Sequence, residues 1–349
     1  MGLIVQKYGG TSVADLDRIQ HVAGRVIRYR EAGHDLVVVL SAMAGVTDRL
    51  IEMARKISDT PDKRELDALL ATGEQTTAAL LAMMLKAMGY PAVSLLGFQA
   101  EVRTDCAYGN ARIMDIGTDR IQHHITAGKV VVVAGFQGCD PRGDITTLGR
   151  GGSDTSAVAI AAALDADVCE IFTDVDGIYT TDPNICRQAR KIKKISYEET
   201  LEMASLGAKV LQIRSVEFAK KYNVKVHVRS SFNDEEGTMV MNEDADMERL
   251  VVSAVTCDKK EARITMSKVP DQPGVAAKIF SPLAEAGIIV DMIIQTSPTG
   301  GSNDITFTVP RDDFKRAMDL CEKVAGDLNA EGVKGNEDIA KVSVIGVGM

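Results

Sequence analysis

The first 230 residues alternate short, β-branched apolar runs with longer segments of helical periodicity, and this alternation limits the fold more than any other feature. The apolar runs predict buried strands at 3–7, 36–40, 130–136, 168–173 and 224–228. The helical patterns lie at about 14–31, 62–88, 111–127, 153–165 and 196–222. Unbroken apolar strands are typical of a sheet covered on both faces. We therefore predict an α/β fold of three αβα layers with a mostly parallel sheet.

A different pattern follows the acidic, turn-rich segment 232–248, which we interpret as a solvated boundary rather than a metal site. Strands are predicted at 251–258, 261–269, 288–296, 304–310 and 341–349, with helices at 275–287 and 314–328. A β-α-β-β-α-β order is typical of a ferredoxin-like α+β domain. One strand is left over before this unit, and the last strand has nothing after it. Because a lone strand pair cannot bury a core, we expect a second such unit to be cut off here.

Composition narrows the class of protein. A chain of 349 residues suits two or three domains, and its net charge of -9 argues against a nucleic-acid partner. The six cysteines show no CxxC spacing, so neither a zinc site nor a disulfide framework is expected, and a reducing cytoplasm is favoured. The N-terminus is too short in apolar length for a signal peptide. No apolar run approaches the roughly 20 residues of a membrane span, so we predict a cytoplasmic protein without a membrane partner.

Two glycine-rich loops follow predicted strands, at 7–12 (KYGGTS) and 149–154 (GRGGSD). Glycines allow the backbone to approach an anion closely, main-chain amides supply donors, and Lys7 or Arg150 supplies positive charge. Ser153 or Asp154 can cap the helix that follows, whose N-terminus favours negative charge. Either loop alone is more often a simple turn. The two together, each at the carboxyl end of a strand, predict a phosphate site.

Several familiar nucleotide-binding classes are excluded by their motifs. The chain has no GxxxxGK[ST] loop of the Walker type and no HRD or DFG set of a protein kinase. No complete GxGxxG opens a βαβ unit, which weakens a dinucleotide interpretation. The segment Asp174 to Gly177 (DVDG) resembles half a calcium loop, but its glycine comes two positions early.

Five ordered motifs resemble those of the aspartokinases, enzymes of the amino-acid-kinase fold. They are KYGGTSV at 7–13, SAMAGVTDRL at 41–50, GE at 73–74, GRGGSDTSA at 149–157 and TDVDGIYTTDP at 173–183. The remaining part resembles the ACT regulatory domains of the same enzymes. The resemblance implies a catalytic domain at 1–242 and an ACT regulatory region at 243–349. Within that region it implies a first ACT domain at 261–330 and strands of a truncated second at 250–258 and 340–349.

The reaction implied by this resemblance is ATP- and Mg²⁺-dependent phosphorylation of the side-chain carboxylate of L-aspartate. Its product is 4-phospho-L-aspartate, the first intermediate toward lysine, threonine and methionine. A carboxylate is already ionised at neutral pH, so the nucleophile needs no general base. The catalytic task of the protein is then to position the two substrates and to neutralise charge on the transferring phosphoryl group. The absence of histidine from all five motifs agrees with such a site.

The resemblance also implies catalytic and substrate-binding roles. Lys7 would stabilise the transferring phosphate, and Asp154 would orient that lysine, although a solvated lysine and a helix cap are the plain alternatives. Glu74 would pair with the α-ammonium of aspartate and Arg150 with its α-carboxylate. Five further motif residues would complete the aspartate site: Ser41, Thr47, Gly151, Gly152 and Ser153. Alternatively, Ser41 and Thr47 could serve only to stabilise a turn or cap a helix. Glu74 could be an exposed glutamate at the start of a helix.

The residues implied to bind ATP come from three segments. They are Lys7, Tyr8, Gly9, Gly10, Thr173, Asp174, Tyr179, Asp182 and Lys209. Tyr179 could instead belong to the core. One departure from the family pattern is Asn184, which stands where an arginine commonly follows the DP dipeptide. Arg187 or Arg190 could replace that arginine, so this phosphate contact is left unassigned. We expect no metal site formed by protein side chains.

Regulation is implied for the C-terminal part. An amino-acid effector, lysine and/or threonine, would bind at the interface of two ACT domains through Asp271, Gly274, Val275, Ala276 and Gln295. A helix N-terminus suits the effector carboxylate, although a plain DxPG turn is the alternative. We expect a homo-oligomer that assembles through ACT domains, with a separate regulatory subunit as a further option.

Two other functions stay open at this level. The kinase domain could be a degenerate scaffold of a ligand-binding sensor, but Lys7, Arg150 and Asp154 are intact. The chain could also be a sister kinase of glutamate, acetylglutamate, carbamate or a nucleotide. Glu74 together with Arg150 favours a free α-amino acid, because acylation would remove the charge that Glu74 recognises.

Overall fold

The computed structural model describes residues 2–208, 210–243, 252–296 and 301–346. The chain divides into two compact units, Met1–Val255 with Val344–Met349, and Thr256–Ser343.

The first unit is built on an eight-stranded sheet with a smaller four-stranded sheet beside it. Its strands are β1 (Leu3–Tyr8), β2 (Asp35–Leu40), β3 (Ala92–Leu95), β4 (Val102–Thr104), β5 (Ile113–Ile116), β6 (Val130–Ala134), β7 (Gln137–Cys139), β8 (Ile145–Thr147), β9 (Val168–Thr173), β10 (Lys194–Ser196), β11 (Val226–Ser230) and β12 (Thr238–Met241). Its helices are α1 (Leu16–Glu31), α2 (Val46–Ile57), α3 (Lys63–Leu70), α4 (Thr72–Ala87), α5 (Asp119–Thr126), α6 (Gly152–Ala163), α7 (Tyr197–Ser205) and α8 (Ile213–Tyr222).

The large sheet has the strand order β10-β12-β11-β9-β1-β2-β6-β3. Every neighbouring pair is parallel except β11 with β12. Alternate residues of β1 enter different cores, because side chains of a strand point to opposite faces. Val5 packs in the core that includes α6 and α8, whereas Ile4 and Tyr8 pack in the core that includes α1 and α4. The predicted three-layer fold with a mostly parallel sheet is confirmed.

Several predicted elements have different bounds. The helix predicted at 111–127 begins only at Asp119, because residues 113–116 pair with β4 as strand β5. The helix predicted at 196–222 is two helices, α7 and α8, with Gly207 in a left-handed conformation between them. The strand predicted at 130–136 ends at Ala134, because Phe136 adopts a positive φ of 66°. In each case tertiary pairing or a loop conformation overrides the local pattern.

The carboxylate of Asp67, in the middle of α3, connects this helix to the small sheet. Asp67 is fully buried and accepts hydrogen bonds from the Thr147 main-chain nitrogen (2.7 Å), the Thr147 hydroxyl (2.7 Å) and the Gly109 nitrogen (2.9 Å). These bonds hold the end of β8, which leads directly into the glycine-rich loop at 149–154.

Replacement of Asp67 by alanine is expected to lower the free energy of unfolding by about 3–5 kcal/mol. The reason is that the buried nitrogen and hydroxyl of Thr147, and the part-buried nitrogen of Gly109, lose their acceptor. Urea denaturation would measure this loss, with Asp59→Ala as a control because Asp59 is exposed in the preceding loop. A change below about 1 kcal/mol, typical of a surface position, would contradict this structural role.

One stretch, Lys63–Ala87, is long and apolar enough to cross a membrane on length and composition alone. This differs from the sequence expectation that no stretch approaches that length. Half of its most apolar window is buried inside the protein. Leu81 and Leu85 of α4 are fully buried in the core with α1, so this helix packs as a core element of the first unit.

The second unit contains a four-stranded antiparallel sheet in the order β15-β16-β14-β17, with two helices. The elements of the C-terminal part are β13 (Ala254–Asp258), β14 (Glu261–Pro270), α9 (Val275–Glu285), β15 (Ile293–Gln295), β16 (Ser302–Pro310), α10 (Phe314–Leu328), β17 (Gly332–Asn336) and β18 (Lys341–Ile345). From β14 to β17 they follow a β-α-β-β-α-β order, as predicted, but its last strand is β17 and not the strand predicted at 341–349.

Two details of this unit differ from the expectation. The strand predicted at 288–296 is only Ile293–Gln295, and β17 was not predicted, because its sequence GVKGN has no apolar alternation. The outer strands β13 and β18 pair with each other in a separate two-stranded sheet. Their assignment to a truncated second ACT domain, and the domain limits at 242, 261 and 330, stay predictions.

Candidate active site

A cleft of about 360 Å³ lies at the carboxyl edge of the large sheet. The carboxyl ends of β1, β2 and β6 meet there, because these strands are parallel and adjacent. The cleft brings together ten residues predicted from separate motifs: Lys7, Gly10, Ser41, Thr47, Glu74, Arg150, Gly151, Gly152, Ser153 and Asp154. This edge is where α/β sheets commonly bind ligands.

Lys7 and Asp154 form an ion pair in this cleft, with 2.5 Å between Nζ and Oδ1. Each residue is only 8% exposed, which excludes the interpretation of Lys7 as a solvated lysine. The alternative of Asp154 as helix cap is also wrong, because α6 begins after Gly151 and has no side-chain cap bond. Asp154 lies in the first turn of α6, where the helix dipole favours its negative charge. A buried ammonium is therefore held at the end of β1 by a carboxylate on α6.

Glu74 provides the second charged group and is 3% exposed. Its Oε1 accepts a hydrogen bond from the Ala42 main-chain nitrogen at 3.0 Å, and its Oε2 is buried without a hydrogen-bond partner. The preceding Gly73 permits this approach, since a Cβ there would lie 2.7 Å from the Cβ of Ala42. Burial raises the pKa of Glu74 to about 7. A buried, unpaired carboxylate oxygen that faces a cleft suits an incoming ammonium group.

The glycine loop at 149–152 depends on conformations that favour glycine. Gly149 and Gly151 have φ values of 77° and 71°. In the other glycine-rich loop, a Cβ on Gly10 would lie 2.8 Å from the Ala42 carbonyl oxygen, so this loop closely approaches the segment that follows β2. Arg150 is exposed at the rim, where its guanidinium can reach a carboxylate in the cleft.

Some predicted nucleotide-binding residues do not line this cleft. The Tyr8 side chain is fully buried and stacks on Phe172 with 4.7 Å between ring centroids, so it cannot form a wall of the site. The Gly9 nitrogen donates to the Phe172 carbonyl at 3.3 Å. Any contact of Tyr8 with a nucleotide would have to use its main chain.

The segment after β9 lies at the same sheet edge, because β9 is parallel to β1. The Thr173 hydroxyl donates to Asp174 at 3.1 Å. Tyr179 is half-buried, and its hydroxyl donates to Asp176 at 2.9 Å. Asp182 is exposed and accepts a hydrogen bond from the Asn184 nitrogen at 2.8 Å. Lys209 lies outside the described residues, and the nucleotide role of this segment stays a prediction.

Eight further residues line the cleft that motif reasoning had not assigned: Ala42, Met43, Ala44, Gly45, Asp48, Phe136, Gly149 and Gln212. Asp48 and Gly149 lie inside motifs that were recognised, so their place in the site could have been predicted from the neighbouring motif residues. Phe136 reaches the site because its φ is positive. A positive φ is uncommon for an aromatic residue, so the sequence gives no sign of it. Gln212 comes from the start of α8, far along the chain.

The predicted effector residues lie at one end of the second unit. Gly274, with φ 88°, precedes α9, and Val275 and Ala276 form its first turn. The ends of β14 and β15 meet there, since both are antiparallel to β16. Asp271 accepts a hydrogen bond from the Asn303 side chain at 3.5 Å, and Gln295 is exposed. The buried Oδ1 of Asn303 has no partner and was not predicted as part of this region.

Known proteins share both parts of this chain. The amino acid kinase family matches residues 2–230, and an ACT domain matches residues 266–324. The aspartate kinase of Pseudomonas putida is 53% identical over 350 residues, which cover 100% of this chain and 85% of the relative. The structure of E. coli aspartokinase III in complex with lysine and aspartate, in its T-state, superposes with a TM-score of 0.80 at 27% identity, over 99% of this chain and 87% of that chain. The same enzyme with aspartate and ADP, in its R-state, gives 0.74 at 27% identity with the same coverage.

A family match over most of the chain decides its class, and the chain belongs to the amino acid kinase family. Within that family its full-length relatives are aspartate kinases, and it is one of that group.

Proposed function

We propose that this chain transfers the γ-phosphoryl group of ATP to the side-chain carboxylate of L-aspartate and releases 4-phospho-L-aspartate. Its relatives of about 50% identity carry the name aspartate kinase, and a structural neighbour holds aspartate with ADP. The product is an activated acyl phosphate, as the first step toward lysine, threonine and methionine requires.

The observation that carries this proposal is the placement of four charged side chains around one cleft. The buried Oε2 of Glu74 can accept the α-ammonium of aspartate, and the Arg150 fork can bind its α-carboxylate. The side-chain carboxylate is then left to face Lys7, whose ammonium is held by Asp154 at 2.5 Å. Because this carboxylate is ionised at neutral pH, it attacks the γ-phosphorus without a base. Lys7 neutralises the negative charge that develops on the transferring group.

The second substrate is ATP with Mg²⁺ on its phosphates. Among the described residues no group of three His, Cys, Asp or Glu side chains could hold a metal ion. Mg²⁺ commonly binds through substrate phosphates and keeps several waters, so the nucleotide would carry it into the site. Lys7 and Gly10 of the first loop line the cleft, and the segment at 173–182 follows the neighbouring parallel strand β9 at the same sheet edge. Both segments would contact the nucleotide. An ATP-dependent biosynthetic enzyme of this kind fits the predicted cytoplasmic location.

We further propose that the ACT unit senses an end product, lysine and/or threonine. A lysine complex of a structural neighbour supports this class of effector. The start of α9 offers main-chain amides to an amino-acid carboxylate, with Asp271 and Gln295 at the same end of the sheet. Assembly as a homo-oligomer through ACT domains, with or without a separate regulatory subunit, is part of this proposal.

The proposal is tested by ATP- and magnesium-dependent turnover of L-aspartate, with the acyl phosphate trapped by hydroxylamine as the hydroxamate. L-glutamate and N-acetyl-L-glutamate serve as matched alternative acceptors, and omission of Mg²⁺ tests the metal requirement. Hydroxamate formed with aspartate alone supports the assignment. ATP binding without turnover of any acceptor would favour the sensor interpretation, and turnover of glutamate or its acetylated form would favour a sister kinase.

The raised pKa of Glu74 predicts a pH dependence of aspartate binding. Below about pH 7 the empty site holds a protonated Glu74, which must lose its proton before it can pair with an ammonium. We therefore expect the KM for aspartate to rise about tenfold for each pH unit below 7 and to level off above it. The KM for MgATP should not follow this course. Steady-state kinetics between about pH 5.5 and 8 would measure both.

The control is Glu74→Gln, which has no titrating carboxyl at this position. Its KM for aspartate should be high and nearly independent of pH over the same range. A KM that keeps the wild-type pH profile in this variant would assign the titration to another group.

A further inference from the structure

The loop that holds Arg150 has little intrinsic rigidity, because Gly149, Gly151 and Gly152 surround the arginine. Its conformation must be imposed by neighbouring groups. On one side, Leu148 anchors the entry to the loop, with its nitrogen donating to the Phe136 carbonyl at 2.9 Å. The Leu148 carbonyl accepts a hydrogen bond from Nη1 of Arg214 at 2.5 Å. The guanidinium of Arg214 therefore holds the peptide bond immediately before Gly149.

The same guanidinium holds a second segment of chain. Its Nη1 donates to the Asn110 side-chain oxygen at 3.0 Å, and its Nη2 donates to the Ala111 carbonyl at 2.8 Å. The Asn110 oxygen in turn borders the glycine loop, since a Cβ on Gly149 would lie 2.9 Å from it. One side chain thus connects three acceptors that lie on two sides of Gly149.

The element that carries Arg214 also reaches the cleft. Arg214 lies in the first turn of α8, and Gln212 directly precedes that helix and lines the cleft. The side chain of Gln212 crosses Gly151 so closely that a Cβ on Gly151 would be 1.8 Å from its Cγ. The start of α8 therefore contacts the loop on both sides of Arg150, through Leu148 and through Gly151.

We propose that Arg214 is a positioning residue for the aspartate site: through the Leu148 carbonyl and Asn110 it holds the loop at 149–152 so that Arg150 meets the α-carboxylate of the substrate. This inference rests on the proposed aspartate kinase activity. A planar fork of donors is required, because the three acceptors lie in different directions, and a lysine ammonium cannot reproduce that arrangement. The nucleotide segments at 7–10 and 173–182 receive no hydrogen bond from this guanidinium among the contacts of the described residues.

The test is steady-state kinetics of Arg214→Lys with aspartate and MgATP varied separately. We expect the KM for aspartate to rise about tenfold to a hundredfold, because displacement of a positioning loop has effects of that order, with the KM for MgATP within about twofold. Asn110→Ala removes one acceptor from an exposed residue and should raise the KM for aspartate in the same direction by about threefold. Addition of ethylguanidinium to Arg214→Ala should recover part of the lost affinity for aspartate.

A matched control is Arg30→Lys. Arg30 also connects main-chain carbonyls of separate segments, those of His34 (2.9 Å) and Gly128 (3.3 Å), but it does so at the amino end of β2. Its substitution should leave both KM values unchanged. Urea denaturation of each variant would show whether a loss of stability accompanies the kinetic change.

The possible outcomes distinguish the positioning role of Arg214 from the proposed aspartate kinase activity. An aspartate KM within about twofold of wild type in Arg214→Lys, or an equal rise in both KM values, would overturn the positioning role. A fall in kcat alone that follows the loss of folded protein would likewise assign Arg214 to stability only. Wild-type protein without aspartate turnover would refute the proposed function, and calorimetric binding of aspartate to wild type and Arg214→Lys would then decide the role of Arg214 separately.

Discussion

Replacement of Lys7 by alanine is expected to lower kcat by two to three orders of magnitude, with a smaller change in the KM for aspartate. Removal of one donor that stabilises developing charge costs about 3–4 kcal/mol of transition-state stabilisation. Lys7 is suited to that role because its ammonium is buried at the end of β1 and held by Asp154. The hydroxamate assay would measure kcat, and the comparison of kcat with KM would show that the loss arises in the transition state.

The Lys7→Ala experiment must distinguish a loss of catalysis from a loss of protein stability. Without Lys7, Asp154 loses its partner in a site where it is 8% exposed, and the loss of one partner of a buried ion pair destabilises a protein by about 3–5 kcal/mol. The double variant Lys7→Ala with Asp154→Ala removes both charges, so we expect it to regain stability but not activity. Lys225→Ala is the control, because Lys225 is exposed at the opposite, amino end of strand β11. Wild-type kcat in a folded Lys7→Ala protein would contradict the proposed mechanism.

Replacement of Glu74 by glutamine is expected to raise the KM for aspartate by about a hundredfold at pH 8. The amide oxygen can still accept the hydrogen bond from the Ala42 nitrogen, but the negative charge that pairs with the α-ammonium is gone. Loss of one partner of a buried charge pair costs about 2–5 kcal/mol in binding. The KM for MgATP should stay within about twofold. Discrimination against N-acetylated acceptors should shrink, because the charge they lack is no longer recognised.

The same variant should be more stable than wild type at pH 8, and the sign follows from linkage. The pKa of Glu74 is raised from its ordinary value to about 7 in the folded protein. The folded state therefore binds more protons than the unfolded state between the two pKa values, and wild type loses stability as pH rises through that window. Urea midpoints at about pH 5 and 8 would test this, with Glu52→Gln, exposed on α2, as the control. Lower stability of Glu74→Gln at pH 8, or an unchanged KM, would contradict the role of Glu74.

The sheet and the main members of the site could be predicted because each rests on a strong local pattern. Lys7, Ser41 and Gly151 come after apolar runs or open a helix, and parallel strands bring such positions to one edge. The family resemblance then supplied roles that spacing alone does not contain. It could not supply the burial of Glu74 or the partnerless Oε2, which depend on how closely α4 approaches Ala42.

The errors have a common physical origin in interactions between distant segments. Residues 113–116 carry a helix-compatible pattern but pair with β4, and β17 forms from a glycine-rich sequence because β14 offers an edge to pair with. Arg214 shows the same limit for function. No sequence motif surrounds it, yet its guanidinium binds Leu148 and Asn110, which lie 66 and 104 positions away along the chain.

Helix α6 has a consequence for how this enzyme can evolve. Its residues from Gly152 to Ala161 are all buried, and most of them are glycine, serine, threonine or alanine. Larger side chains there would meet a closely packed interior and be lost from the population through misfolding before any effect on catalysis was felt. Variation that changes acceptor preference should therefore collect at the rim, at Arg150 and Thr47. Deep mutational scanning should find that α6 tolerates few substitutions.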